Sequence, residues 1–317
     1  MRRIGLIGCG VVGERLGARI LRAGYELRIH DRHQEKCRGL LAQGAVWAGG
    51  PAELGLSCEA VVSALPRAED VLDALLSGDG AWSTMRPATL HVDTSTIGVA
   101  CARALHGEAA KRRIRYLDAP LSAAEATESG PGLTLFASGN ADHYDLARPL
   151  LQAMAEHVHF VGGPPGKGQV VKIVNNLASH AMTVVLADAL AMGLKAGVSI
   201  ELLRAALHDG TAQCRLLDEM LPASSFRGDW RPGLRLDLAI KDLALAEELA
   251  SETSVDQHAL AKVRAIYEDA VRRGWGSLSS HAVLRLQEEA AGVSFRSAIF
   301  ERIPSSGGPR SDREPPA

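Results

Sequence analysis

Residues 3 to 31 place the tightest constraint on the fold. Arg3-Ile4-Gly5-Leu6-Ile7-Gly8 is a short apolar run of strand character, and Gly8-Cys9-Gly10-Val11-Val12-Gly13 follows at once. A helical stretch runs from Glu14 to Ala23 and Gly24 ends it. Leu27 to His30 then reads as a second strand, with Asp31 at its end, eighteen residues after Gly13. Strand, G-x-G-x-x-G, helix, strand and acid, in that order, make a βαβ unit suited to a dinucleotide. Gly8 permits the tight turn, Gly10 lets a pyrophosphate approach the backbone, and Gly13 lets the helix pack on the strand. Val11 and Val12 open a helix whose free amides and positive dipole end favour phosphate. Asp31 can accept from the adenine-ribose hydroxyls, and its charge would repel a 2′-phosphate, which favours NAD. Arg32 and His33 follow and could meet that phosphate, so NADP stays open.

The alternation continues. Strands are expected at 46–48, 60–65, 90–93, 114–118, 133–137 and 158–161, with helices at 69–76, 99–111 and 142–156. Strands alternating with helices predict an α/β fold, a Rossmann-type doubly wound and mostly parallel sheet. Ligands gather at the carboxyl ends of strands in such sheets. Gly8, Asp31, Leu65-Pro66, Ser95-Thr96 and Ser122 all sit at such ends.

After Gly162-Gly163-Pro164-Pro165 the pattern changes. Only helices are expected, at 167–196, 199–208, 213–220, 236–251, 256–272 and 279–290. The chain therefore divides into a dinucleotide-binding domain over 1–163, an all-α substrate and oligomerisation domain over 164–299, and a tail over 300–317. From Ser305 onward the tail is Ser, Gly, Pro and charge, the composition of a disordered segment. The net charge of -2 gives no basic footprint for nucleic acid. The five scattered cysteines lack C-x-x-C spacing, which fits reduced thiols in a cytoplasmic protein. Residues 1 to 8 do not read as a secretory leader. His157 and His159 read as strand-end residues, and no metal site is expected.

The first helix of the second half is unusual. Lys172, Asn176, His180 and Thr183 share one face by their spacing, with Asn175 and Ser179 beside them. The remainder is apolar, with Val170, Val171, Ile173, Val174, Leu177, Met182, Val184, Val185 and Leu186. A narrow polar stripe on an apolar body predicts a core helix, buried on most sides, with its stripe lining a wet cavity. Polar interruptions from Lys172 to Lys195 argue against a membrane span. At 1.5 Å per residue, about thirty residues span on the order of 45 Å, which suggests packing against both domains or a second subunit. A homodimer or homotetramer is expected. A lysine so placed is either tied into a structural network or chemically active with a lowered pKa. Removing a hydroxyl proton while hydride leaves carbon needs a base near pKa 7 to 8, and Lys172 fits that role. Further on, Asp237 and Lys241 stand at i, i+4, where a plain surface ion pair is the simplest reading.

Four separated motifs resemble the β-hydroxyacid dehydrogenase family, the 3-hydroxyisobutyrate dehydrogenase-like enzymes related to 6-phosphogluconate dehydrogenase. They are the N-terminal glycine run, Asp118-Ala119-Pro120-Leu121-Ser122, Gly168-x-x-x-Lys172-x-x-x-Asn176, and Lys241-Asp242-Leu243. The resemblance implies that Lys172 is the general acid/base. It implies that Ser122 and Asn176 hold the substrate, with Ser95 at the adjacent strand end. It also implies that Leu65, Pro66, Thr96 and Lys241 join the cofactor site. The implied substrate is a small β-hydroxy acid or its semialdehyde. Departures fall on the substrate side. Ala123-Ala124 replaces the family's Gly-Gly, and two Cβ atoms there narrow the wall or restrict the backbone. The stretch after Thr96 lacks the usual proline, and Gly276-Ser277-Leu278-Ser279 replaces a loop that is often acidic. Two rival readings remain, an imine reductase of the same architecture and a non-catalytic dinucleotide-binding protein. Retention of Lys172 with Asn176 argues against both.

Overall fold

The computed structural model describes residues 1–123 and 132–301. Ala124 and residues 302–317 of the tail lie outside the described residues, and the tail's first two residues belong to a short helix. Strands β1 (Arg3–Ile7), β2 (Glu26–His30), β3 (Val46–Trp47), β4 (Ala60–Ser63), β5 (Leu90–Asp93) and β6 (Arg115–Asp118) form a parallel sheet in the order β3-β2-β1-β4-β5-β6. That is the doubly wound order. The helices between them are α1 (Val11–Arg22), α2 (Arg38–Ala42), α3 (Pro51–Ser57), α4 (Ala68–Leu76) and α5 (Val99–Lys111). The expected sheet is present, and it is extended by β7 (Leu121–Ala123) of the same sense and by β8 (Leu133–Gly139) and β9 (His157–Gly162) of the opposite sense. β7 and β6 both run antiparallel to β8, while β9 runs parallel to β8. His157 is the first residue of β9, and His159 lies inside the strand and stacks on Phe136.

The central strands β1, β4 and β5 are buried almost throughout because both faces of the sheet are covered. One face buries Ile4, Leu6, Ile29 and Val62 with Leu16 and Ile20 of α1. The other buries Ile7 and Val61 with Val71, Leu75, Trp82 and Leu105. Residues 1–123, 132–178 and 241–258 form one compact unit, and 179–240 with 259–301 form another. The helices after the sheet are α6 (Ala141–Met154), α7 (Lys167–Lys195), α8 (Ile200–Asp209), α9 (Leu221–Ala223), α10 (Leu236–Thr253), α11 (Leu260–Ala270), α12 (Leu284–Ala291) and α13 (Ala298–Glu301). The helix expected at 213–220 falls later, as a wide turn over Leu216–Met220 that runs into α9. The one expected at 256–272 begins at Leu260 and widens after Ala270, where Gly274 takes φ 87.

One expectation fails. α7 is not buried on most sides, since only 39% of its most apolar window is covered. Val174, Met182, Val185 and Met192 are exposed at 55%, 41%, 64% and 66%. The all-round apolar sequence of α7 thus includes a second apolar face besides the one packed in the core.

The start of α7 is the best-held part of the first unit. Gly168 N donates to Ser138 Oγ at 3.0 Å and Gly166 N to Asp118 Oδ1 at 3.3 Å. Ser138 in turn donates to the buried Asp118 carboxylate at 2.8 Å, and His106 Nε2 lies 2.9 Å from that carboxylate. Amides that a helix start leaves unpaired are thereby satisfied from β6 and β8. A Cβ on Gly168 would overlap the carbonyl oxygen of Phe136 and crowd Asp118. Gly168→Ala is expected to destabilise the protein by about 1–3 kcal/mol through this overlap, read as a lower urea midpoint. An unchanged midpoint would show that β8 yields freely.

Candidate active site

The glycine loop has the shape its sequence requires. Gly8 takes φ +97, and a side chain there would strike the Ala64 carbonyl. A Cβ on Gly13 would strike the Gly8 carbonyl, so α1 can begin this close to β1 only with glycine. Gly10 differs, because nothing lies within 4 Å of where its Cβ would be. Gly10 is the N-cap of α1 and makes no side-chain bond to the helix amides. Val11 is 55% exposed and Val12 half-buried at that end. An open backbone concavity at a helix N-terminus fits a pyrophosphate. Asp31 closes the cradle, its Oδ2 accepting from Cys9 N at 2.8 Å and its Oδ1 from His33 N at 2.9 Å. Arg32 is exposed and pairs with Asp70.

Two loops after β4 and β5 form the next part. Leu65 N donates to Ser95 Oγ at 3.0 Å, and Ser95 N donates to Asp93 Oδ1 at 3.1 Å. Ser95 is buried, so its hydroxyl braces the loops from within. Asp93 also accepts from Ser63 Oγ at 2.7 Å, and burial pushes its carboxyl up to about 6. Lys241 joins the loops from above, donating to Thr96 O at 2.6 Å and Pro66 O at 3.1 Å. The surface pair expected between Asp237 and Lys241 is absent. Asp237 is taken by Arg235, at 3.0 and 2.6 Å. Lys241 instead pairs with Asp242 at 3.2 Å.

Lys172 lies one turn into α7 from this frame. Its Nζ donates to Asn176 Oδ1 at 2.7 Å, and Asn176 Nδ2 donates to Asp242 Oδ2 at 2.7 Å. Asn175 Nδ2 also reaches Asn176 Oδ1, at 3.2 Å. Asn176 and Asp242 are 6% and 4% exposed, so the relay sits in low dielectric. Burial lowers the Lys172 pKa from its usual 10.5 to about 8; the Asp242 carboxylate opposes that shift and the Lys241 ammonium adds to it. An amine at that pKa can hold or release a proton near neutrality.

The stripe of α7 divides between the two units. Lys172 and Asn176 belong with the sheet. His180 and Thr183 belong to the second unit, where His180 Nδ1 lies 3.3 Å from the Tyr267 hydroxyl. Ser122 stands on β7 opposite Thr134, half-buried. The substituted pair at 123 and 124 cannot be followed further, because Ala124 and the Ala123 side chain lie outside the described residues. Sequence reasoning gave no separate role to Asp242, Asp118 or Gln169. Asp242 was visible only as the middle letter of Lys-Asp-Leu, and its bond to Asn176 spans 66 residues.

Comparison with known proteins agrees with this geometry. Residues 3–163 match the model for the NAD-binding domain of 6-phosphogluconate dehydrogenase. Residues 166–287 match that for the NAD-binding region of NADP-dependent 3-hydroxyisobutyrate dehydrogenase. The chain is 30% identical over 301 residues to the NAD-dependent L-serine dehydrogenase of Pseudomonas aeruginosa, covering 92% of this chain and all of that one. A crystal structure of 3-hydroxyisobutyrate dehydrogenase from Salmonella typhimurium superposes with a TM-score of 0.80 at 25% identity, over 90% of this chain and 100% of that one. An imine reductase from Streptomyces aurantiacus is more distant, with a TM-score of 0.60 at 19% identity over 90% of this chain and 99% of its own, and shares the fold alone. With its glycine cradle, its lysine–asparagine pair and both halves matched, the chain belongs to the β-hydroxyacid dehydrogenase family and is an NAD(P)-dependent oxidoreductase.

Proposed function

We propose that this enzyme interconverts a small β-hydroxy acid of the 3-hydroxyisobutyrate or serine type with the matching semialdehyde, using NAD in preference to NADP. The observation that carries the reading is Lys172 Nζ, bonded to Asn176 at 2.7 Å and shifted to about 8. In oxidation the neutral amine accepts the substrate hydroxyl proton at Nζ; in reduction the ammonium returns it to the carbonyl oxygen. A bound nicotinamide supplies or accepts the hydride. Asn176 orients the hydroxyl through its amide, which Asp242 fixes in one flip state. Ser122 holds the substrate carboxylate. Gly8, Gly10, Val11, Val12 and Gly13 cradle the pyrophosphate, Asp31 and Arg32 meet the adenine ribose, and Leu65, Pro66, Thr96 and Lys241 frame the nicotinamide end. Residues 1–163 carry the dinucleotide function and 164–299 the substrate and assembly function, although 164–178 and 241–258 fold with the first unit and the boundary is therefore not a single cut at 163. Lys172 counts against imine reduction, as in the sequence reading.

The test is turnover of NAD(H) with 3-hydroxyisobutyrate, L-serine and short semialdehydes. Lys172→Ala is expected to lose about 10²–10⁴-fold in kcat, the usual worth of a positioned acid–base group. Undiminished turnover would remove Lys172 from the chemistry. In the parent enzyme, kcat/KM for oxidation rises with pH through about 8, as the amine form appears, and kcat/KM for reduction falls through the same region. Flat profiles there would contradict the proton role.

Asp31→Asn keeps the size of the side chain and removes its charge. The preference for NAD over NADP should fall by roughly tenfold or more, as expected when about 1.4 kcal/mol of charge repulsion is lost. An unchanged ratio would move cofactor choice to Arg32 and His33.

The exposed face of α7 supports a homo-oligomer. Val174, Val185 and Met192 line up within a narrow sector of the helix, with Met182 beside them, and contiguous apolar surface of this kind marks association. Light scattering should give a multiple of 33.6 kDa for the parent and 33.6 kDa for the Val185→Lys/Met192→Lys variant. A parent mass of 33.6 kDa would reject the assembly.

A further inference from the structure

The turn at Ser95-Thr96-Ile97 is held from two sides. Lys241 reaches Thr96 O from α10. The other side is Gln169, a fully buried residue in the first turn of α7. Its Oε1 accepts from Ile97 N at 3.0 Å and its Nε2 donates to Ser95 O at 3.1 Å. These are the backbone groups immediately before and after Thr96. Only a planar amide supplies a donor and an acceptor in this arrangement, so neither a carboxylate nor an apolar side chain of the same length can replace it.

Gln169 and Lys172 are on one rigid helix, three residues apart, and so about 4.5 Å apart along its axis. The amide bridge therefore sets where the Thr96 turn lies relative to the atom that moves the proton. The far end of α7's first turn is itself fixed, since Gly168 N is bonded to Ser138. Gln169 ties the turn to α7 and Lys241 ties it to α10.

We propose that Gln169 is a positioning residue for hydride transfer, holding the nicotinamide-side turn in register with Lys172 while touching neither cofactor nor substrate. This rests on the functional reading above. Misplacement by about 1 Å costs on the order of 10²-fold in rate, so Gln169→Met is expected to lower kcat by roughly 10- to 100-fold. Dinucleotide affinity should change by less than about threefold, because the glycine loop that grips the pyrophosphate is untouched. The kinetic isotope effect on kcat with deuterated nicotinamide should rise, and the pH limb near 8 should stay, since Asn176 and Asp242 still surround Lys172. A folded variant with parental kcat and isotope effect would overturn the proposal. So would a fall in kcat that only matches a fall in folded protein.

Gln169→Glu provides a second variant should Gln169→Met fold poorly. It keeps the acceptor for Ile97 N and, once the introduced carboxyl is ionised, loses the donor to Ser95 O, so the same split between kcat and dinucleotide affinity is expected above the pKa of that carboxyl. Amide hydrogen exchange separates this proposal from the functional one. Exchange at Ile97 should quicken in Gln169→Met with no substrate present, whatever the enzyme turns over. Unchanged exchange would show that the bridge is not made, even if the hydroxy-acid panel succeeds.

Discussion

Burial of a single amine governs the chemistry of this protein. A lysine in water is an ammonium with a pKa near 10.4 and is a poor proton acceptor at neutrality. The first turns of α7 withdraw Lys172 from water, and desolvation disfavours its charged form. Unopposed burial would drive the amine permanently neutral. Asp242, reached through Asn176, returns part of the lost stabilisation to the ammonium. The two effects balance where both protonation states are populated, which a reversible proton transfer requires.

That balance depends on packing as much as on charge. Lys172 can be placed against the sheet only because α7 begins in contact with β8, and the contact exists because residue 168 has no side chain. Asp118 and Ser138 pair with the amides exposed at this start. The glycine in G-x-x-x-K is thus a distance constraint on the lysine that follows. Gly13 plays the same part for α1, so both helices that face the ligand begin on a close approach.

The sequence showed much of this, for physical reasons that can be identified residue by residue. Gly8, Gly10, Gly13 and Asp31 lie in one local unit, so their geometry follows from their spacing. Lys172 and Asn176 are one helical turn apart, and their bond follows from the helix period. The parallel sheet was legible because strands alternate with helices along the chain, and parallel neighbours need such crossovers. Contacts between distant segments were not legible. The pairing of Lys241 with Pro66 and Thr96 crosses 175 and 145 residues, and the i, i+4 rule pointed to Asp237 instead. Ser95 looked like a group presented to ligand, yet it is buried and holds Leu65 N. The apolar face of α7 is exposed within the chain although its residues read as buried, because hydropathy does not say what covers a residue.

The segment 241–258 packs with the sheet although residues 179–240 of the other unit separate it from 178. The nucleotide-binding half is therefore discontinuous in sequence. During synthesis the loops at Pro66 and Thr96 emerge long before the lysine that joins them. At roughly 5–20 residues per second the ribosome needs several seconds to cover that interval. Through that period the βαβ unit exists without its clamp. A gene fragment ending at the glycine-proline break would encode the cradle for the pyrophosphate and omit the element that fixes the reactive end.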